Sequence, residues 1–385
     1  MLRPLNLSLL AIFLCACQPR IVYMAPLEVE SYPSATAGTS QSPQNSPLLQ
    51  PSLTPTDTTS ISTATPVIKP TTSHISPPIT TLLFTGVIVP ARCVQAEIDA
   101  VGDPNYIFED VRDLISQANI AIGTFNATMS DYPPHTGCIP TYILVGSPAN
   151  ADALALAGFD VMSVATNHIK DCGLANCGNR AFYDTLDNLR RVNIQPVGAG
   201  SNLTEALQPV VITANGIRFG IVSQGQIRQG GVYAEQDEPG IAELSEENIA
   251  KAVDAARQVS DVVIFMPHWG PENVATPTWI QRDVARQIVN AGADLVIGNH
   301  THVVQGVQEI DGVMVFYGLG NFVFDQWERP NKQGVLLMVK FEGTRLVSYE
   351  LIPTHVDRSG RVYIAGSEEA AEILERIEQA SQSLQ

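Results

Sequence analysis

The feature that most constrains the fold of this chain is a series of apolar, strand-like runs that end in histidine-bearing loops. Three such runs precede four histidines: Phe159–Ala165 before His168, Asp261–Met266 before His268, and Ala293–Ile297 before His300 and His302. Ligands of open α/β sheets bind outside the carboxyl ends of the strands, so we expect these side chains to share one site. Imidazole is a common neutral metal ligand. The alternative is that each histidine is an ordinary hydrogen-bonded buried residue.

Helical patterns alternate with strand patterns along most of the chain. The other candidate strands are Thr81–Val89, Ile120–Gly123, Val335–Phe341 and Leu346–Ile352. The candidate helices are Phe108–Ala118, Pro148–Ala157, Ala181–Arg191, Glu247–Gln258, Thr276–Asn290 and Glu368–Ala380. After Val303 the pattern changes to hairpins, with Asp311-Gly312 as a tight turn. Repeated βα units followed by hairpins predict an α/β fold, a layered α/β/β/α sandwich.

The N-terminus has the layout of a bacterial export signal. Arg3 supplies a positive charge and Leu7–Ala16 is an apolar run, shorter than the roughly 20 apolar residues that span a bilayer. Leu14–Cys17 resembles a lipobox, with cleavage before Cys17 and lipidation of its thiol. The alternative is an ordinary signal peptide. We expect residues 1–17 to direct export, with Cys17 anchoring the protein to the outer face of the cell membrane.

Composition separates a linker from a globular domain. Residues 18–78 are rich in Ser, Thr and Pro, and such a segment buries too little apolar surface to repay its ordering entropy, so it is expected to be an extended spacer. Residues 79–385 have the length and apolar content of a domain. The formal net charge of -17 argues against nucleic acid, whose phosphates demand a basic face. An anionic ligand remains compatible with this charge where a metal inverts the local field.

Four cysteines lie in the domain: Cys93, Cys138, Cys172 and Cys177. In an exported protein an even number of cysteines favours disulfides. Cys172 and Cys177 are close enough in sequence to close a small loop beside His168, which leaves Cys93 to pair with Cys138. A cysteine-based zinc site is the alternative, although the spacing matches no common zinc pattern.

Several motifs resemble those of the bacterial CapA family of capsule-synthesis proteins. The motifs are Ala165-Thr166-Asn167-His168 with Asp171, Val197–Gly200, His268-Trp269-Gly270 with Glu272, Ala291–Gly298, His300-Thr301-His302-Val303 and Tyr317–Phe322. They are long and specific, and the resemblance covers most of residues 81–355. It implies a role in the synthesis or export of capsule or poly-γ-glutamate. The implied partners are an anionic surface polymer and a membrane-bound synthesis complex.

The CapA family is similar in turn to the calcineurin-like metallophosphoesterases, which implies a four-layer α/β/β/α sandwich of that type with a two-metal site. By this resemblance Asn167, His268 and His300 match ligands of one metal, and His302 matches a ligand of the other. His168 matches the histidine that contacts or protonates the substrate.

Three further residues are candidates for roles in the same site. Asp171 joins His168 in the candidate catalytic set, and Asn321 is a candidate substrate-binding residue. Trp269, beside His268, is expected either to stack on a substrate or to pack in the core.

The chain departs from the metallophosphoesterase pattern at two positions that usually carry carboxylates. The first strand usually ends in Gly-Asp but here reads Gly86-Val87, and Asn126 stands in place of a Glu. Without these carboxylates the repulsion between two divalent cations is largely uncompensated. We therefore expect one divalent metal (Zn, Mn or Fe) on Asn167, His268 and His300, or none if the site is dead. Four nearby acids are expected to be surface or supporting groups, and the alternative is that they supply the missing negative charge: Asp131, Asp171, Glu272 and Asp325.

Three functions are compatible with these residues. The first is a membrane-anchored CapA-like protein of surface-polymer synthesis or export, with a degraded site that binds at most one metal. The second is an active single-metal hydrolase of a phosphoester or an anionic polymer. The third is a non-catalytic structural surface lipoprotein. The loss of the carboxylate at Val87 leaves enzymatic activity open.

Overall fold

Two large β-sheets pack against each other in the computed structural model, which describes residues 77–132, 135–172, 177–226 and 231–385. The strands are β1 Ile79–Ile88, β2 Ile120–Phe125, β3 Thr128–Met129, β4 Val145–Gly146, β5 Val161–Ser163, β6 Gln195–Val197, β7 Ala199–Gly200, β8 Val210–Ala214, β9 Ile217–Gly225, β10 Gly240–Ile241, β11 Val262–His268, β12 Leu295–Ile297, β13 Val307–Ile310, β14 Val313–Phe316, β15 Asn321–Val323, β16 Gln333–Glu342, β17 Arg345–Val356 and β18 Val362–Ile364.

Helices follow many of these strands. They are α1 Cys93–Val101, α2 Arg112–Ser116, α3 Ala149–Ala157, α4 Arg180–Arg191, α5 Leu203–Ala206, α6 Glu246–Val259, α7 Trp279–Ala291 and α8 Ser367–Gln382. Short 3₁₀ helices lie at Pro104–Phe108 and Arg329–Lys332. The expected signal peptide, Cys17 and the expected linker up to residue 76 lie outside the described residues.

The first sheet brings several strand ends to one edge. Its strands are ordered β18-β17-β16-β1-β2-β5-β6, with β15 paired to β1. The strands β1, β2, β5 and β6 are parallel, so the segments that follow them leave from the same side of the sheet. Nearly every residue of β1 and β2 is buried, as expected of strands covered on both faces.

The second sheet is ordered β13-β14-β12-β11-β9-β8. Its inner strands β9, β11, β12 and β14 are parallel, and the antiparallel strands β8 and β13 form its edges. Directly after β12, a Cβ added at Gly298 would lie 2.2 Å from the carbonyl oxygen of Tyr317. Glycine therefore lets the chain after β12 pass close to the chain after β14, and His300 follows two residues later.

Three apolar layers hold the sheets and helices together. Representative buried residues are Leu82, Phe84, Phe219 and Ile264 between the sheets, Val94, Leu154 and Leu189 between the first sheet and its helices, and Ile249 and Ile288 between the second sheet and α6 and α7. Full burial of a Leu, Ile or Phe side chain contributes about 1.5–3 kcal/mol. The order helices, sheet, sheet, helices confirms the predicted four-layer α/β/β/α sandwich.

Polar caps fix where the two helices over the second sheet begin. The Ser245 side chain accepts a hydrogen bond from the backbone N–H of Asn248 at the start of α6. Thr278 and Gln281 form a capping box at the start of α7, and Gly292 with φ 106° ends that helix. Such caps satisfy backbone groups that a helix terminus otherwise leaves unpaired. The capping box also fixes the position of Trp279, the first residue of α7, which borders the site.

The structure corrects several predicted boundaries. The strand expected over Phe159–Ala165 is reduced to Val161–Ser163, so the chain leaves the sheet two residues before the predicted end. The strand expected over Ala293–Ile297 begins later, at Leu295, and ends at Ile297 as predicted. The helix expected over Phe108–Ala118 is only α2, Arg112–Ser116, after a 3₁₀ helix. The β8–β9 hairpin was missed, although Asn215-Gly216, both with positive φ, is a strong hairpin signal.

Both expected disulfides are present in the structure. One joins Cys93 to Cys138 and the other joins Cys172 to Cys177, so the alternative of a cysteine-based zinc site is not supported. The first disulfide ties the start of α1 to the segment between β3 and β4. Within the described parts of the chain, no helix is both long and apolar enough to cross a membrane.

Candidate metal centre

Four imidazoles meet where strands of the two sheets end. His168 follows β5 of the first sheet, whereas His268 is the last residue of β11 in the second sheet and His300 and His302 follow β12. The ring centroid of His300 lies 4.6 Å from that of His268 and 6.0 Å from that of His302. His168 is near enough for its charge to act on the other three. The structure thus brings the four histidines into one cluster.

Among three of the expected ligands, one ring nitrogen faces two neighbours and cannot form a good hydrogen bond with both. The Nε2 atom of His268 lies 3.1 Å from Asn167 Oδ1 and 3.1 Å from His300 Nδ1. A neutral imidazole nitrogen carries either one hydrogen or one lone pair, so Nε2 cannot serve both neighbours well. The other ring nitrogen of His268, Nδ1, is buried without a hydrogen-bond partner among the described residues. A cation accepting lone pairs from these three side chains would resolve the mismatch.

A second group shares His300. One ligand atom each from Glu272, His300 and His302 lie within 4.8 Å of one another. Glu272 is exposed, whereas the two histidines are largely buried. Glu272 was one of the acids expected to be a surface or supporting group or, alternatively, to supply charge. It is exposed, and its carboxylate lies within reach of the histidines, which adds a negative charge to an otherwise neutral set of donors.

Burial keeps the clustered imidazoles neutral. Desolvation lowers the pKa of His268 well below 6.5 and lowers the pKa of His300 to about 3, and the neighbouring histidines add to both effects. Desolvation also lowers the pKa of His302, against the opposing effect of its hydrogen bond with Asn321. Neutral imidazole is the form that binds metals. At neutral pH these three side chains therefore offer lone pairs rather than charge.

The loop that carries two of the histidines has an unusual backbone. His300 has φ 98° and His302 has φ 58°, values that few residues other than glycine adopt. Conformations of this kind cost of order 1–3 kcal/mol each and persist where surrounding structure enforces them, often at functional sites. Asn299 contributes to that enforcement, because its Nδ2 donates to Thr124 Oγ1 at 2.8 Å.

Two expected substrate-binding residues are in fact structural. Trp269 is 0% exposed, stacks on Tyr317 and donates its Nε1 hydrogen to the Tyr317 carbonyl oxygen at 2.9 Å. Asn321 is 1% exposed, and its Oδ1 lies 2.8 Å from Nδ1 of His302. Neither side chain is available to a substrate. Asn321 instead orients the His302 ring so that Nε2 is the nitrogen left for a ligand.

His168 forms a dyad with Asp171. Their Nδ1 and Oδ2 atoms are 2.7 Å apart, and the same Asp171 oxygen accepts the backbone N–H of Leu144 at 2.7 Å. The backbone N–H of His168 donates to Asn126 Oδ1 at 3.2 Å. A carboxylate on Nδ1 fixes the tautomer and ring orientation of a histidine, so Nε2 of His168 is the atom left to exchange a proton.

The positions that lack carboxylates lie in β1 and directly after β2 of the first sheet. Val87, in β1, is 0% exposed, and Asn126, directly after β2, is buried with Nδ2 unpartnered among the described residues. The other acids considered from the sequence serve elsewhere. Asp131 is exposed, and Asp325 forms an ion pair with Arg92. Of the four acids, Glu272 alone joins the ligand groups.

A cavity of about 750 Å³ opens beside the centre, within the range of ligand sites, roughly 300–1,000 Å³. Its lining includes Asn167, Glu272 and His300 of the centre and three residues that had not been singled out from the sequence: Tyr233, Glu243 and Trp279. Trp279 is 75% exposed. In the sequence, the exposure of Trp279 is indicated only by its position directly after a helix cap, because a side chain there need not be packed.

Solved structures resemble the chain distantly. A phosphatase of Mycoplasma pneumoniae shares 10% sequence identity at a TM-score of 0.45, over 72% of this chain and 93% of that one. A 5'-nucleotidase precursor of Thermus thermophilus shares 15% identity at a TM-score of 0.44, over 80% of this chain and 59% of that one. Likeness at this level carries no argument about activity.

Capsule-synthesis proteins are similar over most of the domain. The capsule biosynthesis protein CapA of Bacillus anthracis is 26% identical over 282 residues, 72% of this chain and 67% of that protein. The PGA biosynthesis protein CapA of Bacillus subtilis (strain 168) is 26% identical over 274 residues, 71% of this chain and 70% of that protein. The model of the family described as bacterial capsule synthesis protein PGA_cap matches residues 81–326. The match covers more than half of the chain, which therefore belongs to the PGA_cap family of bacterial capsule synthesis proteins.

Proposed function

We propose that this chain is a CapA-like accessory protein of capsule or poly-γ-glutamate synthesis or export, and that its cleft binds one divalent metal and an anionic polymer. The observation that carries the proposal is the cluster of Asn167, His268 and His300, in which one ring nitrogen, His268 Nε2, lies 3.1 Å from both Asn167 Oδ1 and His300 Nδ1 and cannot pair well with both. Similar proteins named for capsule or PGA biosynthesis support the polymer class. A membrane-bound synthesis complex is the proposed partner.

The donors fit one divalent cation better than two. Asn167, His268 and His300 form one candidate set, and Glu272 and His302 extend it through the shared His300. Among the four nearby acids, Glu272 alone offers a carboxylate to the cluster, so the charge of a second cation would be poorly compensated. Imidazole with a carboxylate or amide oxygen suits Zn, Mn or Fe.

A bound metal of this kind supplies positive charge that holds anionic groups of a substrate. The chain's own residues supply the rest. His268 and His300 stay neutral and fixed in the cleft, Asn321 orients His302, and His168 with Asp171 holds a proton-exchanging nitrogen beside them. The cavity then presents a polymer segment to this cluster.

A single-metal hydrolase of a phosphoester or an anionic polymer is the second candidate function. The specific observation that favours it is the His168–Asp171 contact of 2.7 Å. A carboxylate on Nδ1 fixes the tautomer of His168 and leaves Nε2 placed to give a proton to a leaving group. Release of inorganic phosphate or shortened polymer by the metal-loaded chain, lost in His168→Ala, would select this candidate.

The metal content of the purified full chain tests the main proposal. We expect about one metal ion per chain after loading with zinc or manganese, because three or four protein ligands suffice for a divalent site. The double variant His268→Ala/His300→Ala should bind none. His135→Ala is the matched control, since His135 lies outside the cluster and should leave the content unchanged. No metal in the intact chain would overturn the proposal, and two per chain would overturn its stoichiometry.

Export and anchoring are part of the same proposal and rest on the N-terminal sequence. Residues 1–17 serve as the signal, Cys17 carries the lipid, and residues 18–78 space the domain from the membrane. The variant Cys17→Ser should move the protein from the membrane fraction to the soluble exported fraction. Membrane association that survives this change would contradict lipid anchoring through Cys17.

A further inference from the structure

We propose that Trp327 and Arg358 form a second binding site for the anionic polymer, at the same edge of the first sheet as the metal centre. This inference rests on the proposed function, and it adds a place outside the ligand cluster where the polymer chain is held. The observation that carries it is a contact between two exposed side chains: the guanidinium carbon of Arg358 lies over the Trp327 ring, 4.6 Å from its centroid.

The topology of the first sheet places both residues at the edge where the metal centre lies. β15 is parallel to β1, and β17 also runs in the direction of β1 because β16 between them is antiparallel to both. The segments that follow β15 and β17 therefore leave from the edge at which β5 leads to Asn167 and His168. Trp327 lies in the first of these segments and Arg358 in the second.

The segment that carries Trp327 packs on the centre itself. The ring centroid of Phe324 lies 5.3 Å from that of His302. The next residue, Asp325, forms an ion pair with Arg92 and so holds the segment in place. Trp327 follows Phe324 by three residues, which span at most about 11 Å. A polymer chain bound at the centre therefore needs to extend only a short way to reach the indole.

The turn that carries Arg358 is held by its own hydrogen bonds. Oδ1 of Asp357 accepts the backbone N–H groups of Ser359 and Arg361 at 2.8 and 3.1 Å. The hydroxyl of Tyr106 donates a hydrogen bond to the carbonyl oxygen of Ser359. The carboxylate next to Arg358 in sequence is therefore engaged with the turn, and it forms no ion pair with that arginine.

The guanidinium of Arg358 has donors to offer a ligand. Most described arginines form ion pairs with carboxylates, as expected in a chain with a net charge of -17. Arg358 forms no hydrogen bond or ion pair with the described residues, and it lies instead over Trp327, which is 66% exposed. An aromatic face attracts a guanidinium without using its N–H groups, so these groups remain available.

The pair matches the repeating chemistry of poly-γ-glutamate. Each residue of this polymer carries an α-carboxylate and has methylene groups in its backbone. The guanidinium of Arg358 presents a fork of donors that fits a carboxylate, and the exposed indole of Trp327 offers apolar surface to the methylene groups. The metal centre and this pair hold two parts of one chain, and such linked binding raises the affinity beyond that of either site alone.

Calorimetric titration of the zinc-loaded full chain with a decamer of poly-γ-glutamate tests this inference. We expect Arg358→Ala and Trp327→Ala each to weaken binding about fivefold. Arg358→Lys keeps the charge but loses the fork of donors, and it should weaken binding about twofold. The double variant should lose less than the product of the two single losses, because residues in contact act as one unit.

Arg345→Ala is the matched control. It removes the same charge from an exposed position at the other end of β17, away from the edge of the metal centre, and it should leave the affinity unchanged. A decamer whose α-carboxylates are amidated gives a second control. Arg358→Ala should not weaken its binding, because the neutral amide lacks the charge that the guanidinium pairs with.

Three results would overturn the inference. If Arg358→Ala bound the decamer as tightly as the intact chain, or if Arg345→Ala lost as much affinity, the inference would fail and the proposed function would stand. Vesicles of phosphatidylglycerol test a membrane as the occupant: vesicle binding by Cys17→Ser that Arg358→Ala abolishes, with polymer binding kept, would assign the pair to a lipid surface. No binding of the decamer by the intact chain would overturn both this inference and the polymer part of the proposed function.

Discussion

The two halves of the candidate metal centre come from different sheets and differ in what they offer a cation. The second sheet supplies His268 at the end of β11 and His300 and His302 after β12, and Glu272 lies close to the last two. The first sheet supplies Asn167 and His168 after β5. At Val87 and Asn126 it carries an apolar and a neutral side chain, where the resemblance to metallophosphoesterases leads one to expect carboxylates.

The two sides of the centre therefore differ chiefly in the charge that they offer a cation. On the first-sheet side Val87 is fully buried, and the buried Asn126 accepts the backbone N–H of His168. On the second-sheet side a backbone with positive φ at His300 and His302 is maintained, and such conformations do not persist without support. A set of neutral donors with a single carboxylate compensates the charge of one cation more readily than the charge of two.

Restoring the missing carboxylate gives the largest expected effect. Val87→Asp places a charged group at a position that is 0% exposed, so the metal-free variant should lose about 3–5 kcal/mol of unfolding free energy, the cost typical of an unpaired buried charge. Metal should restore part of this loss, and the metal content should rise from about one per chain toward two. Denaturant unfolding with and without zinc, together with metal analysis, measures both changes.

Val87→Asn is the matched control because it has the size and polarity of the aspartate without its charge. It should destabilise the fold without any rescue by metal. Val87→Asp could instead show the metal content of the intact chain and the same lack of rescue by metal as Val87→Asn. The side chain at position 87 would then not face the metal, and the contrast between the two halves would need another basis.

The second-sheet half should make the metal-free protein sensitive to acid. The pKa of His300 is about 3 in the folded chain against 6.5 normally, because burial disfavours its charged form. Below pH 6.5 the unfolded chain takes up a proton that the folded chain does not, so unfolding becomes easier as the pH falls. For this residue the loss is at most about 3 kcal/mol between pH 7 and pH 4.

Unfolding of the chelator-treated protein across this range measures the effect, with His300→Gln as the comparison. Glutamine does not titrate, so the variant should show a shallower fall in unfolding free energy between pH 6.5 and pH 4. Parallel curves for the two proteins would mean that His300 is accessible to protons in the folded state. The second-sheet half would then be less buried than its packing indicates.

The sequence predicts that the histidines at the strand ends meet, but it does not predict how far the side chains around them are exposed. The layered sandwich follows from alternating strands and helices, and the meeting of His168, His268 and His300 follows from parallel strand ends. Trp269 and Trp279 show the limit. Both are tryptophans near the site, yet Trp269 is 0% exposed and Trp279 is 75% exposed. Their exposure depends on how β11, α7 and the chain after β14 pack, and no local pattern carries that information.

Glu272 shows the same limit for electrostatics. It lies four residues after His268 in a segment with no periodicity, so its sequence position does not indicate whether its carboxylate faces solvent or the histidines. The turn at Gly270, with φ 83°, leads the chain back toward the loop of His300 and His302. The prediction that the ligands were all neutral was therefore incomplete, because a charged group separated by a sharp turn joins them.

The smallest expected effect concerns the support of the second-sheet half rather than its ligands. Asn321→Ala removes the oxygen that lies 2.8 Å from His302 Nδ1 and so frees the ring to change tautomer and orientation. Loss of such a supporting partner typically weakens metal binding about 10–100-fold. Asn321→Asp keeps the acceptor for His302 Nδ1 but loses the Nδ2 donor to the Asn331 carbonyl oxygen at 2.8 Å, so its affinity for metal should fall less than that of Asn321→Ala. Competition with a chelator of known affinity measures both variants. If Asn321→Ala bound metal as tightly as the intact chain, His302 would lie outside the ligand set, and the metal would be confined to Asn167, His268 and His300.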